Sequence, residues 1–101
     1  GVTDGNYWAV AYFVGIQTTS NKVYNLKVRE DKTVAELKEL IQELIDLHVS
    51  GQRLFLIRPE YFLPEWRSIY YPLKNDSILN MSEGIKDGDT IFVNEPGNIS
   101  L

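Results

Sequence analysis

The stretch KVYNLKVREDKTVAELKELIQELIDLHVSGQRLFLI, residues 22–57, decides the fold because its hydrophobic period changes twice within it. From Lys22 to Glu30, Tyr24, Leu26 and Val28 alternate with Asn25, Lys27 and Arg29, which is the period of a half-buried antiparallel strand. At Thr33-Val34-Ala35-Glu36 the pattern becomes that of a capping box, in which the Thr33 hydroxyl accepts from the Glu36 amide while the Glu36 side chain reaches back. Beyond it Val34, Leu37, Ile41, Leu44, Ile45 and His48 recur at spacings of three and four, so a helix is predicted with Gly51 as its stop. Leu40 and Leu47 widen the apolar stripe, and Lys38, Glu39, Gln42, Glu43 and Asp46 are left for the solvated side. After Gly51 the short apolar run Arg53 to Ile57 reads as another strand.

Upstream, YWAVAYFVGIQ (residues 7–17) is rich in aromatic and β-branched residues and is followed by the turn-prone Thr18-Thr19-Ser20-Asn21. It predicts a first strand paired with the second as a hairpin. Downstream lies RPEYFLPEWRSIYYP, residues 58–72, which holds five of the chain's twelve aromatic residues and is fenced by Pro59, Pro64 and Pro72. Regular pairing is not expected there, since each proline lacks an amide donor. The closing segment predicts a turn at Asn75-Asp76, a short helical or turn element around Ile78 to Met81, a tight turn at Asp87-Gly88 and a last strand from Thr90 to Val93. Residues 1–6 and 96–101 are expected to be disordered. One long helix covering a mixed sheet of four to five strands is an α+β roll, not a Rossmann-type alternation.

With 101 residues, one domain with a single core is expected. Hydrophobic residues at 44% and charged residues at 24% suit a globular domain, and no continuous apolar run reaches the roughly 18 to 20 residues of a membrane span. A net charge of −4 argues against a nucleic-acid partner. The absence of cysteine rules out a disulfide framework, a thiolate nucleophile and a cysteine-ligated zinc, leaving the compartment open with a reducing interior favoured. Gly1 in place of Met suggests a chain excised from a longer protein.

In this order of elements, and in Val14, Ile16, Tyr24, Leu26, Val28, Thr33-Val34, Leu37, Ile41, Gln42, Leu47, Gln52-Arg53-Leu54, Leu73, Ile78, Ile85, Ile91 and Val93, the chain resembles ubiquitin and its relatives of the β-grasp fold. The resemblance runs from Tyr12 to Ile57 and resumes from Leu73 to Val93, so residues 58–72 are an insertion after the third strand. It places Lys38 at the family's helix lysine, with Asp76 offered as its partner, and implies a non-enzymatic protein-binding domain, expected to be monomeric and a module of a larger protein. The departures narrow this further. Covalent modifiers of the family end in Gly-Gly or a single Gly, whereas here Pro96-Gly97 lies within four residues of the last core strand, so a modifier processed at Gly97 is a minor alternative to a simple turn. The resemblance sets Phe55 at the central isoleucine of the family's recognition patch and Phe92 at its histidine, with Thr19 and Asn94 replacing the leucine and valine beside them. Phe55 and Phe92 are therefore candidate contacts, the competing reading being that this protein's own extra residues cover them.

A second binding face comes from charge. Lys22, Lys27, Arg29, Lys32 and Lys38 are half of the ten basic residues and cluster on the second strand and early helix. The strand's alternation turns Lys27 and Arg29 outward. Similarity to Ras-association domains makes Lys22, Lys27 and Arg29 an alternative basic face for an acidic small GTPase, against the favoured reading that charges at a sheet edge discourage aggregation. Catalysis finds little support: His48, the only histidine, is placed on the apolar helix stripe and read as helix-end packing. Glu83, Asp87 and Asp89 lack the spacing of a calcium loop, so neither metal nor cofactor is expected.

The insertion and the early start of the chain fall at the same end of a β-grasp sheet. In phase with Val14 and Ile16, Val10 and Trp8 point inward, where Phe62, Leu63, Trp66 or Ile69 would cover them as a satellite core. Tyr61, Tyr70 and Tyr71 are left as candidate protein contacts.

Overall fold

The computed structural model describes residues 10–79 and 82–95. The elements are β1 (Ala11–Thr18), β2 (Val23–Arg29), α1 (Val34–Ile45), a 3-10 turn (Val49–Gly51), β3 (Arg53–Phe62), β4 (Glu65–Pro72) and β5 (Thr90–Asn94). They form one five-stranded sheet in the order β2-β1-β5-β3-β4, with β1 and β5 parallel and every other neighbouring pair antiparallel. Alternation sends Val14, Ile16, Val28, Leu54, Leu56, Ile91 and Val93 to one sheet face, where they meet Val34, Leu37 and Ile41 of the helix. Burying side chains of this size contributes about 1.5–3 kcal/mol each.

The helix starts as predicted. Thr33 Oγ1 accepts from the Glu36 amide at 3.2 Å, and Glu36 Oε1 accepts from the Thr33 amide at 2.9 Å. Its end differs from the prediction. Asp46 takes a left-handed conformation (φ 58°) and its N–H donates to Gln42 O, so the helix stops at Ile45, ahead of Gly51. Gln42 Oε1 then accepts from Val49 N, while Gln52 Nε2 donates to the carbonyls of Lys38 and Leu47. These side chains complete the polar groups that a helix end would otherwise leave bare. His48 is consequently not on a packed stripe: it is exposed and caps the 3-10 turn, its Nδ1 accepting from Ser50 N at 3.1 Å.

The closing loop departs in one core position. Leu79 is fully buried, whereas Ile78 is half-buried and bridges to Thr33. Asn80 and Met81, within the predicted short element, lie outside the described residues. Lys38 forms no ion pair among the described residues and Asp76 is exposed, so the expected pair is absent there; burial pushes the Lys38 pKa down.

The largest correction concerns residues 58–72, which are a regular β-hairpin and not an irregular loop. Pairing runs without interruption from Phe55↔Pro72 to Phe62↔Glu65, closed by the two-residue turn Leu63-Pro64 with a cis peptide bond. The prolines are tolerated because of their phase. Leu73 N donates to Leu54 O at 2.9 Å, which makes the even-numbered positions of β3 the hydrogen-bonded ones along this ladder. Pro59 and Pro72 both fall at the alternate, non-bonded positions. Pro59 faces the side on which β5 has already ended at Thr90, opposite Ile57, and Pro72 faces the open edge of β4. Neither removes a ladder bond.

The satellite core is not found among the described residues. Val10 is 57% exposed, Leu63 84% and Trp66 67%; Phe62 is also exposed, and only Ile69 is half-buried. A hairpin that projects past the end of β5 has no helix beneath it, so its rings can only pack locally. Tyr61 lies 5.3 Å from Trp66 between centroids, and the Arg67 guanidinium sits 5.6 Å from the Phe62 ring. Trp8 and the two terminal segments expected to be disordered lie outside the described residues.

Candidate functional site

The sheet face opposite the helix is built by the same alternation that builds the core. Gln17, Phe92, Phe55 and Pro72 form one cross-strand row over β1, β5, β3 and β4, and Gly15, Thr90, Ile57 and Tyr70 form the next. Phe55 and Phe92 are thus direct antiparallel neighbours, with ring centroids 6.4 Å apart. From the second row Tyr70 reaches diagonally onto Phe92, at 5.5 Å and an interplanar angle of 82°. Phe92 is left only 6% exposed, Phe55 is half-buried and Tyr70 remains 47% exposed. Toward β2 the face continues through exposed Phe13 and Val23, and toward the hairpin tip through Tyr61 and Trp66. An apolar surface with a buried ring as floor and an exposed tyrosine as rim can accept an apolar side chain and offer one hydroxyl to a polar group beside it.

Five candidate contacts were read from the sequence, and four share this face: Phe55, Phe92, Tyr70 and Tyr61. Tyr71 does not. It pairs with core-facing Leu56 and therefore points to the helix side, where its hydroxyl donates to Glu60 Oε2; that carboxylate pushes the Tyr71 pKa up. The covering of Phe92 comes from the insertion, as the competing reading held, but the cover is itself aromatic. Thr19 and Asn94 give the face a polar border: Thr19 Oγ1 donates to Glu95 Oε1 at 2.9 Å, and Asn94 is buried. What the sequence reading missed was Tyr70 bridging β4 to β5, whose only signal is its pairing register opposite Ile57.

The alternative basic residues do not converge. Lys22 and Lys27 are exposed on the turn and edge strand, whereas Arg29 is held by Asp31 at 3.0 and 2.5 Å, and this pairing holds the Asp31 carboxyl below the usual range. Lys32 sits 3.5 Å from Glu36. Among the described residues no group of three or more acidic or histidine side chains is arranged to hold a metal. No helix among them is long and apolar enough to cross a membrane. Gly97 lies outside the described residues.

Comparison with known proteins agrees with this architecture. The family model described as the ubiquitin family matches residues 14–56. Among solved structures, the UBL domain of Dsk2 from Plasmodium falciparum is 24% identical with a TM-score of 0.64, over 85% of this chain and 99% of that one. A protein designed de novo on the basis of ubiquitin is 18% identical with a TM-score of 0.67, over 86% and 90% of the two chains. ATBAG1, solved in complex with HSP70, is 15% identical with a TM-score of 0.64; the likeness covers 83% of this chain and 40% of that one. No curated protein sequence matches significantly. The chain has the ubiquitin-like β-grasp fold, a mixed five-stranded sheet on one helix, and its residues 14–56 resemble the ubiquitin family.

Proposed function

We propose that this domain acts by non-covalent protein binding through the sheet face opposite the helix, as a non-enzymatic module of a larger protein. The observation that carries the reading is the Phe55–Phe92–Tyr70 cluster, in which a ring from the insertion joins two others across three strands. Phe55, Tyr70 and Tyr61 are the contacts. Phe92 is the floor that fixes their positions, and Tyr71, on the opposite face, is outside this surface. The partner presents an apolar segment to the rings.

Pulldown with the purified domain tests this. Capture lost with Phe55→Ala and with Tyr70→Ala, but retained by the double variant Lys27→Glu, Arg29→Glu, is the expected result. The reverse pattern would favour the GTPase-binding alternative and sink the aromatic one. Mass spectrometry of the protein in its host checks the modifier alternative: the expected outcome is a chain that extends past Gly97 and forms no conjugates.

A further inference from the structure

We propose that the free edge of β4 pairs with β4 of a second copy of this chain, antiparallel and centred on Ser68, so that two five-stranded sheets join into one. β4 is the last strand of the sheet, and apart from half-buried Ile69 its residues are exposed. The phase set by the bond from Leu73 N to Leu54 O turns the backbone N–H and C=O groups of Trp66, Ser68 and Tyr70 away from β3. Among the described residues these ladder groups have no partner, which is what a further strand requires.

The edge is self-complementary about one residue. Pro64 and Pro72 stand four positions to either side of Ser68. An antiparallel partner centred there sets Ser68 against Ser68 and Trp66 against Tyr70, so each outward donor meets an outward acceptor. Pro64 faces Pro72 at both ends, where the ladder stops without losing a bond. A shift of one residue sets outward groups against inward ones, and a shift of two sets Trp66 against Pro72 or Tyr70 against the turn at Pro64. The geometry therefore selects a single register and a closed two-fold interface.

The side chains agree with this register. Trp66 and Tyr70, 67% and 47% exposed, become cross-strand aromatic neighbours on either side of a small central serine. On the other face each Arg67 lies opposite Ile69 of the second copy; the two guanidinium groups come diagonally close, and each has its own Glu65 at 3.5 Å. The opposite edge of the sheet, β2, carries Lys27 on its outer face, whereas Trp66, Ser68 and Tyr70 carry no charge. Dimerisation departs from the monomer expected from sequence, and it does not rest on the proposed function.

Sedimentation equilibrium over a concentration series tests it on the full chain. The expected result is a mass rising towards twice that of the monomer, and an association at least tenfold weaker for Ser68→Pro. The Ser68 N–H points away from β3, as the Pro72 nitrogen does, so this variant keeps its fold, which a thermal melt checks. Because the chain has no cysteine, Ser68→Cys reports the register. Residues facing each other in a bonded antiparallel pair are about 5.5 Å apart at Cα, within disulfide reach. Under oxidised glutathione Ser68→Cys is expected to form a covalent dimer much faster than Ser82→Cys, an exposed control that is not part of β4. A chain that stays monomeric throughout overturns the proposal. So does a dimer unaffected by Ser68→Pro, or crosslinking no faster at residue 68 than at 82.

Discussion

The rings of Tyr70 and Phe92 meet nearly at right angles, 82° between planes, with centroids 5.5 Å apart. The contact joins the outermost strand of the sheet to a central one, crossing β3 diagonally between Phe55 and Ile57. It converts what would be a solvent-facing ring into a buried one. Tyr70→Ala is expected to cost about 1 kcal/mol and Phe92→Ala about 3 kcal/mol. The double variant should lose less than the sum, because either substitution alone removes the shared contact. Urea denaturation of the four proteins measures this, and strict additivity would show that the two rings are not energetically coupled.

Tyr12 gives the protein an alkaline limit. Its hydroxyl donates to Ile85 O at 2.8 Å, and its pKa is pushed up to about 12, first by burial and then by the carboxylates of Glu30 and Asp89. The folded state thus holds a proton that the unfolded chain releases near pH 10. Stability from this group is complete below about pH 10 and is lost progressively as pH rises towards 12, by an amount on the order of 2–3 kcal/mol. Tyr12→Phe should flatten that decline while lowering stability near neutrality by about 1 kcal/mol, since the Ile85 carbonyl loses its donor. Urea midpoints at a series of alkaline pH values separate the two effects.

The capping box at the helix start is a second pH-dependent device, with the opposite sign. Thr33→Ala is expected to cost about 1 kcal/mol. The Glu36 carboxyl is held below its ordinary range, chiefly by the Thr33 amide that donates to it, then by the Thr33 hydroxyl and Lys32. A depressed carboxyl contributes stability above its unfolded pKa, and that contribution disappears as pH falls through the folded value. Glu36→Gln should therefore weaken the domain at neutral pH and show a shallower loss on acidification than the parent. A parallel acid limb would mean that the carboxylate adds nothing specific.

Trp66 should matter little to global stability despite its size. It is 67% exposed and packs mainly against Tyr61 near the hairpin tip. Trp66→Ala is expected to change unfolding free energy by less than about 1 kcal/mol. A larger drop in a thermal melt would restore a packed core under the insertion.

The order of elements was legible because each carries a local signal: the alternation of Tyr24, Leu26 and Val28, the Thr33–Glu36 box, and the three- and four-residue spacing from Val34 to Ile41. The end of the helix was not legible, because it depends on Gln42 and Gln52 finding backbone groups at Val49, Lys38 and Leu47 after the chain has turned. Lys38 and Asp76 were matched by position in a pattern, and position does not fix where a loop side chain points.

For residues 58–72 the sequence supplied composition and misled on conformation. Three prolines in fifteen residues argue against a strand when each is judged alone, yet two of them stand at non-bonded positions and the third is in the turn. That phase is a property of the pairing, set by which strand lies on which side. The sequence by itself determined a ubiquitin-like roll, its core stripe and an aromatic insertion, because hydrophobic period and capping act over neighbouring residues. Only the tertiary structure decided that the insertion is a hairpin, that Tyr70 faces Phe92 while Tyr71 faces away, and that Trp66 stays in solvent. Those outcomes depend on register, and a register exists only once two distant strands have met.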